Sequence, residues 1–211
     1  MTDWRVYLVT QASLSGDRTT PEIVEAAIEG GVDVVQLREK DVSARERYEM
    51  GREVREHTRE AGVPLIVNDR VDLALALEAD GVHLGDEDLP VAVARELLGE
   101  DAIIGRSVSF VDDAREAEAA GADYLGVGAI YATGSKDDIE DDEYAIGTKR
   151  LADIVDAVDI PVVGIGGITD ENADSVIDAG AAGVAVITEI TNADNPEAAT
   201  GRLIDAVSKG Q

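Results

Sequence analysis

The stretch PVVGIGGITDENADSVIDAGAAGVAVITEI, residues 161–190, contains two runs of small and β-branched residues with a more polar segment between them. Such short apolar runs, at 161–168 and 183–190, are typical of buried parallel strands, and Thr169-Asp170 opens a helix between them. A strand, a helix and a parallel strand make a βαβ unit. The stretch therefore predicts one repeat of an α/β fold.

The same alternation continues along the whole chain. Amphipathic helices, for example Ser43 to Glu60 and Asp113 to Ala122, separate the apolar runs. An open doubly wound sheet usually stops at five or six strands, whereas eight βα units make a compact barrel. We therefore predict an α/β fold, a single (β/α)8 TIM barrel. The predicted strands are 6–10, 32–39, 64–68, 81–85, 103–107, 124–130, 161–168 and 183–190.

Neither a linker nor a change of composition divides the chain, so we expect one barrel domain over residues 1–211. One irregular stretch, residues 131–146, is too polar for a core strand because it contains the acidic cluster 137–143. We expect it to form a mobile loop after strand six.

The net charge of the chain limits the kinds of binding partner that we expect. The 45 Asp and Glu against 18 Lys and Arg give a net charge of -27, which repels nucleic acid and anionic lipid. This excess is typical of a halophilic protein from a high-salt cytoplasm, where self-repulsion is screened. An ordinary acidic mesophilic protein is the alternative.

Location and metal chemistry follow from what the sequence lacks. No apolar run reaches the roughly 18 residues of a membrane span, and the first residues do not resemble a signal peptide, so we expect a cytoplasmic protein without a membrane partner. With 0 Cys, a bound metal needs oxygen or nitrogen ligands, which favours Mg2+. A homo-oligomer is one assembly that the sequence allows.

The end of strand two carries polar side chains on one face. Alternation places Gln36, Arg38 and Lys40 on one side and the apolar Val35 and Leu37 on the other. In a barrel, reactive groups collect at the carboxyl ends of the strands, where a guanidinium and an ammonium can clamp a diphosphate and an amide can orient a heterocycle. A solvated charge cluster is the alternative.

Strands three and four end in acidic segments. Asn68-Asp69 and the segment containing Asp88 offer oxygen ligands at the same mouth, as a magnesium site requires. Capping of the following helices by these side chains is the alternative interpretation.

The remaining strand ends are rich in hydroxyls and glycines. Ser107 ends strand five, and Thr133, Ser135 and Lys136 follow strand six, where they can close over a phosphate. Strand seven ends in Gly166-Gly167, which predicts a backbone phosphate cradle together with the end of strand eight. The alternatives are a solvated connector after strand six and glycines chosen for tight packing.

Six motifs in this order resemble the thiamine-phosphate synthase family. That family joins a hydroxymethylpyrimidine diphosphate to a thiazole phosphate with Mg2+, and releases thiamine phosphate and pyrophosphate. The motifs are Gln-Leu-Arg-Glu-Lys at 36–40, Val-Asn-Asp at 67–69, Gly-Val-His-Leu-Gly-Asp-Glu-Asp at 81–88, Gly-Arg-Ser at 105–107, Ile-Tyr-Ala-Thr-Gly-Ser-Lys at 130–136 and Gly-Ile-Gly-Gly-Ile at 164–168.

The resemblance also implies roles for individual residues. The residues that would contact the pyrimidine diphosphate are Gln36, Arg38, Lys40 and Asn68. The Mg2+ ligands are Asp69 and Asp88. The diphosphate and thiazole pocket is completed by Ser107, Thr133, Ser135 and Lys136. The remaining phosphate is held by Gly166, Val186, Ile187 and Thr188.

The chain departs from the family pattern at a few positions. Ala129 and Ala132 stand where the family usually has Pro, Ser135 where it often has Thr, and Thr188 where it has Ser. The hydroxyl groups at positions 135 and 188 are retained despite these changes. The acidic cluster 137–143 is longer than usual, which bears on loop stiffness and on the affinity for anions at low salt.

With 2 His and no Cys, the sequence offers no obvious nucleophile and base pair. We therefore expect electrostatic stabilisation of the leaving diphosphate by Mg2+ and by the catalytic side chains Arg38, Lys40 and Lys136. His83 is expected to be a wall of the substrate pocket or a core residue. The alternative functions are a thiazole tautomerase, another phosphate-binding barrel isomerase or lyase, and a non-catalytic phosphate sensor.

Overall fold

The computed structural model describes residues 4–133 and 145–209, in which eight parallel strands close into a barrel in chain order. Every neighbouring pair, including the first and last strands, is parallel. The predicted (β/α)8 barrel is confirmed. The strands are β1 Val6–Val9, β2 Val34–Leu37, β3 Leu65–Asn68, β4 Gly81–Leu84, β5 Ile103–Val108, β6 Tyr124–Val127, β7 Val162–Ile165 and β8 Gly183–Val186.

Helices follow the strands and cover the outside of the barrel. The longest, Ala44–Ala61, begins after a capping box in which Ser43 and Glu46 satisfy each other's backbone N–H groups. The helices are α1 Thr20–Glu29, α2 Ala44–Ala61, α3 Val71–Ala76, α4 Val91–Leu98, α5 Val111–Ala119, α6 Gly147–Val155, α7 Ala173–Asp178, α8 Thr188–Thr191 and α9 Pro196–Lys209, with a 3-10 turn at Ala12–Leu14. None of these helices is long and apolar enough to cross a membrane.

Strand alternation divides the core into two layers. In β1, Val6 and Leu8 face the helices, whereas Tyr7 and Val9 face the barrel axis. The axial layer also contains Trp4, Val34, Ile66, Tyr124, Val163, Ala185 and Ile187. Three tyrosine and tryptophan rings fill its lower part, so the barrel is a packed core whose space for ligands lies above them.

The amino-terminal end of the barrel repeats one arrangement three times. Asp33, Asp80 and Asp123 each precede an even-numbered strand and accept a hydrogen bond from the backbone N–H at the start of the preceding odd-numbered strand, at 2.7–2.9 Å. Each carboxylate also pairs with an arginine. The arginines are Arg5, Arg55 and Arg95, at 3.1, 2.7 and 2.7 Å. These Asp–Arg clamps tie adjacent strands together at the bottom of the barrel.

Several strands end earlier than the sequence predicts. The run predicted as 183–190 is a strand only to Val186, after which the chain turns at Ile187 and forms α8. Similarly, β6 ends at Val127, although Ile130 is fully buried and its N–H donates to the Ile165 carbonyl at 2.9 Å. The apolar runs therefore report burial that continues into loops packed over the barrel mouth.

Candidate active site

Two adjoining cavities open at the carboxyl-terminal end of the barrel. The inner cavity, of about 70 Å³, lies on the barrel axis, and the outer cavity, of about 300 Å³, lies above β7 and β8. Ile165, Ala185 and Ile187 line both cavities and form the wall that they share. Two ligands seated in these cavities would therefore meet at this wall.

The inner cavity gathers four of the predicted substrate contacts. Gln36, Arg38, Asn68 and Ser107 line it from four different strand ends. Their convergence follows from alternation, since each continues the axis-facing side of its strand. The other lining side chains in the described residues include Tyr7, Val9, His83, Tyr124 and Val163.

Arg38 is held in place by the two residues that follow β1. Its guanidinium donates to the Gln11 side-chain oxygen at 2.5 Å, and its backbone N–H donates to the Thr10 hydroxyl at 3.1 Å. The next residue, Glu39, points the other way and is buried, where it accepts from the Ala12 N–H and the Thr20 hydroxyl. Arg38 thus faces the cavity while Glu39 secures the loop after β1.

Lys40, Asp69 and Asp88 meet at the rim. The Lys40 ammonium lies 3.6 Å from an Asp69 oxygen, and Asp69 adopts a positive φ of 63°, in the left-handed region that Asp tolerates better than most residues. Asp88 accepts the Gly85 N–H at 2.6 Å. Burial raises the pKa of Asp69, the Asp88 carboxylate raises it further, and Lys40 and Arg38 oppose both effects.

The carboxylate pair fits a small divalent cation. The helices after these strands receive no side-chain cap from Asn68, Asp69 or Asp88, because α3 and α4 are preceded by Arg70 and Pro90 without capping bonds. Residues 4–133 and 145–209 hold no cluster of three or more His, Cys, Asp or Glu side chains that could bind a metal by itself. Two carboxylates completed by water and substrate phosphate are a common Mg2+ environment.

The outer cavity is lined by glycines, alanines, β-branched side chains and Glu189. Gly166 has a φ of 100°, and a Cβ there would lie 2.7 Å from Ala129 Cα, so only glycine fits. Of the residues predicted to hold phosphate, the cavity is lined by Thr133, Gly166, Val186, Ile187 and Thr188. Thr188 belongs to α8 and not to strand eight, which corrects its predicted position. Ser135 and Lys136 lie outside the described residues.

Sequence reasoning missed the polar side chains beneath the inner cavity. Tyr7 and Tyr124 are buried with their hydroxyls 2.8 Å apart, and the Tyr124 hydroxyl lies 2.9 Å from His83 Nδ1. Burial raises the pKa of both tyrosines. The usable signal was their alternation with outward Val6, Leu8 and Leu125, but tyrosine in a strand looks like ordinary core.

Comparisons with known proteins point to one family. A family model described as thiamine monophosphate synthase matches residues 6–190. The chain is 70% identical to a thiamine-phosphate synthase of Haloarcula marismortui over 100% of both chains, and 64% identical to that of Natronomonas pharaonis, covering 97% of this chain and 95% of the relative.

A solved structure shares both fold and sequence. The thiamine phosphate pyrophosphorylase from Pyrococcus furiosus superposes with a TM-score of 0.89 at 41% identity, covering 99% of this chain and 98% of that one. The predicted resemblance is thereby confirmed over nearly the whole chain. The chain is a transferase that belongs to the thiamine monophosphate synthase family.

Proposed function

We propose that this protein joins 4-amino-2-methyl-5-hydroxymethylpyrimidine diphosphate to thiazole phosphate, giving thiamine phosphate and pyrophosphate. The observation that carries this assignment is the pair of cavities that share the wall of Ile165, Ala185 and Ile187. A transferase for two substrates needs two pockets whose contents touch. Here one pocket offers hydrogen-bonding side chains, and the other a glycine-rich backbone.

The pyrimidine occupies the inner cavity. Gln36, Asn68 and Ser107 contact its edges there, and its diphosphate extends towards the rim. Arg38 and Lys40 bind the phosphoryl oxygens, the first as a planar fork of donors and the second as a point charge. The bond from Arg38 to Gln11 holds the guanidinium in advance, so less side-chain entropy is lost on binding.

Asp69 and Asp88 hold Mg2+ at the rim, beside Lys40. When bound, the ion neutralises the developing charge of the diphosphate. Its support is the position of the two carboxylates beside each other at the rim, where burial and the Asp88 carboxylate both raise the pKa of Asp69.

The thiazole phosphate occupies the outer cavity. Gly166 and the chain after β8 offer backbone N–H groups to its phosphate, and the hydroxyls of Thr133 and Thr188 supplement them. The family resemblance adds Ser135 and Lys136 to this pocket, and both lie outside the described residues.

The reaction is a dissociative displacement. The bond between the pyrimidine methylene carbon and the diphosphate oxygen breaks, and its electron pair leaves with pyrophosphate. Arg38, Lys40 and Lys136 stabilise this charge as it develops. The pyrimidine-stabilised methylene cation then accepts the lone pair of the thiazole nitrogen, which forms the new carbon–nitrogen bond where the two cavities meet.

The alternatives are less favoured. A thiazole tautomerase transfers a proton and has no use for a diphosphate clamp, yet Arg38, Lys40, Asp69 and Asp88 are all present and meet at one mouth. A Schiff-base isomerase would need Lys40 inside the barrel, whereas its ammonium lies exposed at the rim beside Asp69. We further propose that residues 1–211 form one catalytic domain, and that it works in the cytoplasm of a halophile, as its acidity suggests.

The decisive experiment combines the purified protein with both substrates and Mg2+ in molar KCl. We expect thiamine phosphate and pyrophosphate in equal amounts, and neither product when Mg2+ is replaced by EDTA. Folded protein that forms neither product in molar KCl would overturn the assignment. Conversion of a thiazole tautomer without the pyrimidine substrate would support the tautomerase instead.

A further inference from the structure

A string of buried side chains connects two walls of the inner cavity from below. The Gln36 amide nitrogen donates to the Tyr7 hydroxyl at 2.9 Å, and the hydroxyls of Tyr7 and Tyr124 lie 2.8 Å apart. The string continues to His83, whose Nδ1 is 2.9 Å from the Tyr124 hydroxyl and whose Nε2 is 2.9 Å from Ser107 Oγ. Gln36 and Ser107 form its two ends, and all five side chains line the cavity.

The directions of the hydrogen bonds follow from the first bond once each buried hydroxyl proton is given an acceptor. An amide nitrogen can only donate, so the Tyr7 oxygen accepts from Gln36, and the Tyr7 hydroxyl donates its own hydrogen bond to the Tyr124 oxygen. Tyr124 then has one proton left to donate, and it goes to His83 Nδ1. Both phenols keep their protons at neutral pH because burial raises their pKa.

This direction fixes the groups that reach the ligand. With Nδ1 accepting, the ring proton of His83 is on Nε2 and is donated to the Ser107 oxygen. The Ser107 hydroxyl proton is then directed away from His83, towards the cavity. At the other end, one N–H of the Gln36 amide donates to Tyr7, which fixes the orientation of the amide, and we infer that the Gln36 oxygen is the acceptor on the cavity side.

The barrel is shaped to hold this string. A Cβ at Gly105 would lie 2.2 Å from Tyr124 Cζ, and one at Gly126 would lie 2.9 Å from His83 Cε1. Trp4 packs edge-on against the Tyr124 ring at a centroid distance of 5.0 Å. The two glycines make room for the rings of Tyr124 and His83, and Trp4 limits the movement of the Tyr124 ring.

We propose that Tyr7, Tyr124 and His83 are positioning residues that set the hydrogen-bond polarity of the inner cavity, so that Gln36 presents an acceptor and Ser107 presents a donor. This polarity matches a heterocycle with an exocyclic amino group next to an unprotonated ring nitrogen. It opposes the isosteric oxo form, in which the donor and the acceptor are exchanged. The inference rests on the proposed function, since it assumes that the pyrimidine binds in this cavity.

The test compares two ligands of nearly equal shape. The dissociation constants of 4-amino-5-hydroxymethyl-2-methylpyrimidine and of its 4-oxo counterpart are measured by titration calorimetry in molar KCl. We expect the wild-type protein to prefer the amino compound by at least about tenfold. The Tyr124→Phe variant, which interrupts the string at its centre, should bring the ratio of the two constants close to one.

The ratio of the two dissociation constants distinguishes a change in hydrogen-bond polarity from a general loss of packing. Loosened packing would weaken both ligands together, whereas a free His83 tautomer should weaken the amino compound and strengthen the oxo compound. Tyr48→Phe removes a hydroxyl from α2, on the outside of the barrel, and should leave the ratio unchanged. If Tyr124→Phe fails to fold, two other variants test the same proposal. Tyr7→Phe removes the hydroxyl that accepts from Gln36, and Gly126→Ala places a methyl group against His83.

The outcomes also separate this inference from the proposed function. If the wild-type protein binds neither pyrimidine, the inference is wrong, and product formation in the experiment described above decides the proposed function separately. If the wild-type protein prefers the amino compound and the folded variants keep that preference, the proposed function stands and the positioning role is wrong.

Discussion

The two ends of the barrel use the same residue types in opposite ways. At the amino-terminal end, Asp33, Asp80 and Asp123 each bind an arginine and a backbone N–H group, so their charges are compensated within the protein. At the carboxyl-terminal end, Asp69 is pressed against Asp88, and burial and this neighbour raise its pKa. Carboxylates that are paired with an arginine stabilise the fold, whereas carboxylates that lie beside each other are available to a cationic ligand.

The largest effect should follow from changing a cation at the carboxyl-terminal end. We expect Arg38→Gln to lower kcat/KM by about 10²–10³-fold, because it removes a preorganised donor from the leaving diphosphate. Stability should change little, since Arg38 is held mainly by Gln11 and is half-buried. Steady-state kinetics and thermal melting measure the two effects separately.

A matched arginine provides the control. Arg106, at the end of β5, donates to the Leu84 carbonyl and to Asp86 at the surface. Arg106→Gln should keep kcat/KM within a few-fold of the wild-type value. Equal losses in the two variants would mean that the protein needs its overall positive charge at this mouth, and not Arg38 in particular.

The second effect should appear at the amino-terminal end, and on stability alone. Asp80→Ala removes the acceptor for the Leu65 N–H and the partner of Arg55, which costs about 1–3 kcal/mol. For a chain of this length, the melting temperature should fall by about 2–4 °C per kcal/mol. Turnover well below the melting temperature should be unchanged.

An exposed ion pair is the control for the clamp. Glu49→Ala breaks the pair with Arg45 on the surface of α2, which typically contributes only about 0–1 kcal/mol. If Asp80→Ala melts like Glu49→Ala, the clamp does not support the barrel. A loss of turnover in Asp80→Ala far below its melting temperature would contradict the division between the two ends.

The smallest expected effect is a gain in thermal stability. The pKa of Asp69 is raised in the fold, so the stability linked to this group is present at low pH and is lost as pH rises through the raised pKa. At neutral pH, Asp88→Asn removes the like-charged neighbour and should raise the melting temperature in EDTA by about 1–3 °C. The amide oxygen can still accept the Gly85 N–H.

The same variant should lose its response to metal. Mg2+ should raise the melting temperature of the wild-type protein with the pyrimidine diphosphate present, by binding only the folded state, and should leave Asp88→Asn nearly unchanged. A metal-free variant that melts below the wild-type protein would show that Asp88 mainly supports its loop.

The sequence predicted the fold well because alternation and strand number are local properties. The starts of β1, β4, β5, β6 and β8 agree with the predicted starts. The end of β8 was misplaced by four residues, since Ile187 and Ile190 are buried without being in a strand. Burial against loops and burial within a sheet leave the same apolar pattern.

The candidate site was predictable where one strand end carries its own chemistry. Gln36, Arg38, Asn68 and Ser107 were found by reading each strand at its carboxyl end, and all four line the inner cavity. Contacts across the barrel were not predictable. Tyr7 and Tyr124 are 117 residues apart, and only the closed barrel brings their hydroxyls together.

The wall between the cavities also constrains how such an enzyme can evolve. Because Ile187 lines both cavities, a substitution there should change the recognition of both substrates at once. A variant selected for a bulkier thiazole would alter the seat of the pyrimidine, and the second adaptation would have to follow at another position. New specificity at this wall should therefore arise through paired substitutions, with the effect of each depending on the other.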